Sequence, residues 1–250
     1  MLNKFIFKNK NKITGIVQVG ANLGQEIEFF QEHDIKNFIL FEPINHIYDQ
    51  LISKFSENKN IKIYNYALGN TNSSSFMNLS SNNDNKSSSL LEPGLHTQLF
   101  PEVEFKNKEK IEIKKLVDFD LKNINFLFLD TQGYELEVLK GTENKLEQFK
   151  FIFTEIARSS VFINGVLIQE LDSFLYKKGF IRYKTYWASN KPTGDAIYIQ
   201  MKIFNKTHNF YLFIKSKLTL SKIYIFLNFF KDLKKINYLL KKYAKRLLKK

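Results

Sequence analysis

The sequence predicts an α/β fold: a mostly parallel, Rossmann-type sheet with a C-terminal antiparallel hairpin strand, plus a basic amphipathic helical tail. Three observations lead there. Buried β-branched and aromatic runs alternate with amphipathic stretches from Ile16 to Tyr66, the rhythm of strands covered by helices on both faces. Small residues, Gly20-Ala21-Asn22-Leu23-Gly24, stand where the first such strand meets the first helix. Two late strand-like runs, 180–187 and 196–201, are joined by the turn-rich segment 188–194. That link is too short for a parallel crossover, so the pair must be antiparallel.

Taken in order, 15–19 reads as a buried strand, and Ile27, Phe29, Phe30 and Ile35 suit a helix after Gly24. A second buried strand, 38–41, ends at Glu42-Pro43. Ile47, Leu51, Ile52 and Phe55 share one face of a helix over 47–55. Residues 61–66 alternate like a third strand. The Asn-, Ser- and Asp-rich stretch 70–89 breaks the rhythm and is expected to be a surface excursion, either mobile or folding over a site. A short strand is expected at 110–116 and a strong one at 126–129, ending at Asp130. A helix over 134–146, a strand at 151–153 leading to Glu155, and a helix over 168–178 closed by Gly179 complete the body.

The 250 residues, 44% hydrophobic and 25% charged, exclude a disordered or fibrous chain and fit one α/β domain (1–201) with an appendage (202–250). With no Cys, there is no disulfide framework and no thiol nucleophile. Phe5-Ile6-Phe7 is too short for the core of a secretory signal, which leaves a cytoplasmic location as the expectation. The net charge of +13 is not spread evenly: 1–201 carries 24 basic and 24 acidic residues, whereas 202–250 carries 14 basic residues and only Asp232. From Phe226 on, Phe229, Phe230, Leu233, Ile236, Leu240, Tyr243 and Leu247 follow helical spacing between lysines. Its most apolar run, 223–230, is too short to span a bilayer, so the expectation is a helix lying peripherally on an anionic inner membrane face. The alternative is packing on the body or on a second copy in a homo-oligomer. Nucleic acid is disfavoured, because the tail has a single Arg and no reading motif.

Glu42 lies 22 positions after Gly20, close to the spacing at which a carboxylate takes ribose hydroxyls beside a Gly-rich loop. An adenosine-containing ligand is the expectation. His33, His46 and His208 are isolated, so no metal site is expected.

A longer series carries a resemblance. Val19-Gly20-Ala21-Asn22-Leu23-Gly24-Gln25, Phe41-Glu42-Pro43 and Ala67-Leu68-Gly69 are followed by Ser87-Ser88-Ser89-Leu90-Leu91-Glu92-Pro93 with His96. Leu129-Asp130-Thr131-Gln132-Gly133-Tyr134-Glu135-Leu136-Glu137-Val138-Leu139-Lys140-Gly141, Glu155 and Gly194-Asp195 complete it. Over about 13–200 the chain resembles the FkbM family of S-adenosylmethionine-dependent methyltransferases. The resemblance implies a class I methyltransferase-like, seven-stranded sheet with its last strand antiparallel, S-adenosylmethionine as methyl donor, and a hydroxyl acceptor. By position it places Gly20, Ala21, Asn22 and Gly24 along the methionine portion, Glu42-Pro43 at the ribose and Ala67-Leu68 at the adenine. Similar proteins often have Asp where this chain has Gln18, whose amide oxygen still accepts a hydrogen bond but brings no charge.

A sulfonium methyl is already electrophilic, so the protein must align an oxygen and remove its proton. Asp130, at a strand's carboxyl end, is the leading candidate for base or for positioning the donor. His96, Glu135 and Glu155 follow. Ser87, Ser88 and Ser89 are candidates for binding a hydroxyl-rich acceptor. A carbohydrate or glycolipid acceptor from surface-glycan assembly is expected, on family habit together with the tail. The alternatives are a nicotinamide-dependent (NAD) oxidoreductase, which the Gly loop and Glu42 also permit, and a non-catalytic membrane-docking module.

Overall fold

Along the chain, the computed structural model places α1 (Leu2–Asn9), β1 (Ile16–Val19), α2 (Gln25–Gln31), β2 (Phe38–Phe41), α3 (Asn45–Phe55), β3 (Ile61–Tyr64), β4 (Ala67–Leu68) and β5 (Ser73–Leu79). There follow α4 (His96–Leu99), β6 (Asn107–Lys114), β7 (Phe126–Leu129), α5 (Glu135–Lys140), β8 (Phe151–Ala157), α6 (Ile168–Lys177), β9 (Phe180–Trp187) and β10 (Thr193–Gln200). The structure describes residues 1–203, 212 and 213, so the basic amphipathic tail expected at 202–250 lies almost wholly outside the described residues.

Period-two alternation buries both faces of the main sheet. Val17 and Val19 enter one core with Leu127, Leu129, Ile152 and the inward faces of α5 and α6. Ile16, Leu40, Phe126, Phe128 and Phe151 enter the other with α2 and α3. The strand order is β3-β2-β1-β7-β8-β10-β9. The first five strands run parallel, and β10 runs antiparallel to both β8 and β9. This is the class I methyltransferase arrangement, with the expected late hairpin as its reversed strand.

Several elements differ from expectation, each for a local reason. Residues 70–89 are not a strandless excursion: β5 pairs with β6, which in turn pairs with β4, in a second sheet of three strands. The pattern was hidden because the first half of β5 is largely exposed serine, and only its second half, through Met77 and Leu79, reaches a core with Ile111 and Ile113. The third strand stops at Tyr64, where the Asn65 side chain donates to the carbonyls of Glu42 and Pro43 and turns the chain away. The helix expected over 134–146 ends at Lys140, because Gly141 lies so close to Gly69 that a Cβ would meet its carbonyl oxygen at 1.9 Å. A 3-10 segment, Glu143–Gln148, carries the chain on. Unforeseen, α1 inserts Phe5 and Ile6 into the second core, with Phe5 edge-on to Phe126 and Phe151. Among the described residues, no helix is long and apolar enough to cross a membrane.

Candidate active site

The strand order reverses between β1 and β7, and ligands in open α/β sheets sit beyond the strand carboxyl ends at such a point. Here the two ends nearly touch. Gly20 has φ +77, and a Cβ there would meet the Asp130 carbonyl oxygen at 1.9 Å, so only glycine closes the junction. The amides of Gly20 and Ala21 both donate to the Phe41 carbonyl at 3.0 Å, which pins the loop to the end of β2.

That loop presents its next amide to Glu42. The Asn22 N–H donates to Oε2 at 2.8 Å and the Ile44 N–H to Oε1 at 2.9 Å. Glu42 is 4% exposed, and burial pushes its carboxyl up to about 7 despite these two bonds. Each of its oxygens keeps a lone pair for a further donor such as a ribose hydroxyl.

A cavity of about 280 Å³ opens in front of this loop. Gln18, Gly20, Ala21, Asn22, Glu42, Pro43, Ala67, Leu68 and Asp130 all line it. Gly24 does not, and that expectation is corrected. Its backbone (φ +65) makes the left-handed turn into α2, and a Cβ there would strike Phe55 at 2.7 Å.

Two buried polar atoms of lining residues have no partner, Gln18 Oε1 and Thr131 Oγ1. Such atoms cost free energy unless something pairs with them, so this wall fits a polar ligand. Gln18 is 2% exposed and donates through Nε2 to Glu26 Oε2 at 2.9 Å. Glu26, which the sequence reading passed over, thus supplies a negative charge where Gln18 has none. Its signal was its place in the first turn of the helix that follows the Gly loop.

The segment 80–89 roofs the cavity. Asn22 Nδ2 donates to the Asp84 carbonyl at 2.5 Å across its mouth, and Asn85, Lys86 and Ser88 line it from above. The serines proposed as acceptor ligands mostly hold this roof: Ser88 Oγ accepts from the Ser80 amide, the Ser87 amide donates to Ser80 Oγ, and Ser89 Oγ donates to the Gln132 carbonyl at 2.8 Å.

A second cavity, also of about 280 Å³, abuts the first; Lys86, Asp130 and Gln132 line both. Gln132, another residue the sequence reading left without a role, donates from Nε2 to Asp130 Oδ1 at 2.7 Å and to Glu155 Oε2 at 3.2 Å. The deep position of Asp130 pushes its carboxyl up to about 7, with Glu135, Glu26 and Asp195 adding like-charge repulsion. Its own surface is open to the crevice, so water there relieves part of that shift. Burial and the neighbouring Asp130 and Glu135 push Glu155 well above the carboxylate range.

All four catalytic candidates, Asp130, His96, Glu135 and Glu155, line this second cavity. One stands differently from expectation, and one is buried more deeply than a lone loop histidine would be. Glu155 lies within β8 rather than at its end. His96 is no surface loop residue: it opens α4 and is 2% exposed. Glu135 accepts the Thr131 and Gly133 amides at 3.1 Å on one oxygen, which braces the loop that carries Asp130. Among the described residues, no cluster of His, Asp and Glu could hold a metal ion.

The family model of the methyltransferase FkbM domain matches residues 18–182. The chain belongs to the FkbM methyltransferase family. No curated protein matches it significantly. Among solved structures it is similar to the FkbM methyltransferase of Methylobacillus flagellatus, with 12% identity and TM-score 0.48 over 75% of this chain and 43% of that one. The chain thus corresponds to less than half of that relative's length. It is also similar to magnesium protoporphyrin IX methyltransferase from Synechocystis with bound S-adenosylmethionine, at 7% identity and TM-score 0.48 over 80% of this chain and 76% of that one. A ribosomal protein L11 methylase from Lactobacillus delbrueckii gives 9% identity and TM-score 0.47, over 80% and 77%. Porphyrin and ribosomal protein are the acceptors named for those two proteins.

Proposed function

We propose that this chain is an S-adenosylmethionine-dependent O-methyltransferase acting on a hydroxyl of a sugar, within a surface glycan or its lipid-linked precursor. The observation that carries the reading is the shared wall: Asp130 and Gln132 line both the cavity behind the Gly loop and the cavity beside it. A donor in one and an acceptor in the other would meet at Asp130.

S-adenosylmethionine, when bound, supplies a methyl carbon made electrophilic by its sulfonium. Glu42 would hold the ribose hydroxyls, Ala67 and Leu68 the adenine edge, and Gln18 with Glu26 the ammonium of the methionine portion. Asp130 takes the proton that the acceptor hydroxyl loses, and Gln132 fixes the Asp130 carboxylate for that work. The raised proton affinity of Asp130 suits a base acting near neutral pH. The acidic lining favours the cationic sulfonium donor over the neutral thioether product, which aids exchange of spent donor for fresh. The lysine-rich tail supports a lipid-linked acceptor, since each lysine near an anionic leaflet is worth about 1 kcal/mol.

Calorimetry with S-adenosylhomocysteine and with NAD separates methyl transfer from hydride transfer. The expectation is binding of the first alone, and preference for NAD would overturn the reading. Transfer of labelled methyl to a panel of glycans, transfer RNA and protein then identifies the acceptor, with label expected in the carbohydrate.

A further inference from the structure

The second cavity has a chemistry of its own. Its floor carries Asp130, Glu135 and Glu155, and its walls carry the rings of His96, Phe100 and Phe162. The imidazole of His96 lies 4.8 Å from the Phe100 ring, 5.1 Å from Phe105 and 5.2 Å from Phe162, centroid to centroid. Its Nδ1 is buried and has no hydrogen-bond partner. An unpaired buried nitrogen of this kind is unfavourable unless something pairs with it. The free chain carries that cost at a cavity wall, where a ligand hydroxyl would remove it. Burial lowers the proton affinity of His96, so the ring is neutral near pH 7 and either accepts or donates according to tautomer.

The other groups narrow the ligand. Aromatic walls offer an apolar surface to the C–H face of a saturated ring, and carboxylates accept hydrogen bonds from its hydroxyls. Among the described lining residues, Lys86 is the lone cationic side chain against three acidic ones. Above pH 7 a negative substituent placed there would meet the ionised Asp130 carboxylate in a poorly solvated space, a like-charge contact that disfavours it.

We propose that the second cavity is the acceptor subsite, that His96 anchors an acceptor hydroxyl there, and that the cavity takes a hydroxylated ring bearing no negative charge. The inference rests on the methyl-transfer reading and adds to it the charge class of the acceptor and a positioning residue.

The test is saturation-transfer NMR on the full chain loaded with S-adenosylhomocysteine. The probes are methyl α-glucopyranoside, its 2-amino analogue and methyl α-glucuronide. The neutral and amino glycosides are expected to bind, and the glucuronide at least about tenfold more weakly. His96→Gln should weaken the glucopyranoside about tenfold and leave S-adenosylhomocysteine affinity unchanged. At pH 8, above the value of about 7 for Asp130, Asp130→Asn removes a repelling charge and should bring the glucuronide towards the neutral glycoside, a result that does not require the His96 variant to fold. Equal binding of glucuronide and glucopyranoside, or binding of none of the three, would overturn the inference while S-adenosylhomocysteine binding upholds methyl transfer. Failure of S-adenosylhomocysteine itself to bind would overturn both.

Discussion

Gln18 brings no charge to the end of β1, yet an acid stands beside it. Its amide donates to Glu26 at 2.9 Å, while its buried Oε1 has no partner in a residue that lines the first cavity. A neutral amide and a carboxylate from α2 therefore share the work of one acid. Glu26→Gln keeps the shape and removes the charge. A hydrogen bond to a charged group is worth about 1.5–3 kcal/mol, so affinity for S-adenosylhomocysteine should fall by about tenfold or more. Calorimetry on the folded variant measures it, and an unchanged dissociation constant would remove Glu26 from the donor site. At this scale the sequence made the nucleotide end readable, because the Gly20 loop and Glu42 are fixed by short spacings. It could not reveal what surrounds His96. Phe162, 66 positions further on, buries that ring, and nothing local to His96 announces such a contact.

Elements were legible where both of their faces are buried. The runs 16–19, 38–41 and 126–129 are apolar or β-branched almost throughout, and each forms a strand over that span. β5 escaped notice because it lies at the edge of a small sheet and its first half is mostly exposed serine. The late hairpin could be read from its short connection, but the ion pair holding it could not. Arg182 on β9 donates from Nε and Nη2 to the two oxygens of Asp172 on α6, at 2.9 and 3.1 Å. Tyr198 on β10 donates its hydroxyl to Oδ1 of the same carboxylate at 2.9 Å. One buried acid thus ties the last helix to the reversed strand and its neighbour. Arg182→Ala leaves that acid buried without its cation and should cost about 3–5 kcal/mol in urea unfolding. Tyr198→Phe removes a single bond and should cost only about 0.5–1.5 kcal/mol. Equal losses in the two variants would mean that the guanidinium contributes no more than the phenol.

Across the molecule, the acids with raised proton affinity make folding and ligand binding respond to pH in opposite directions. Glu42 and Asp130 are raised to about 7, and Glu135 and Glu155 are raised as well. Each holds its proton more tightly folded than unfolded. Between the ordinary value of 4.5 for Glu42 and its folded value of about 7, the folded chain therefore binds the extra protons. Its stability falls as pH rises through that window. The excess of +13 acts the other way on acidification, through self-repulsion, so the informative quantity is a difference between proteins. Relative to wild type, Glu42→Gln lacks the ionisation penalty, and its Tm should fall less steeply between pH 5 and pH 8. A cationic sulfonium beside Asp130 favours the ionised carboxylate, so S-adenosylmethionine should bind more tightly at pH 8 than at pH 6. S-adenosylhomocysteine, which lacks the sulfonium charge, should gain less over the same interval. Thermal unfolding of both proteins across this range, with each ligand present, measures all three slopes. Parallel slopes for wild type and Glu42→Gln would show that Glu42 ionises in the folded protein as it does in the unfolded chain.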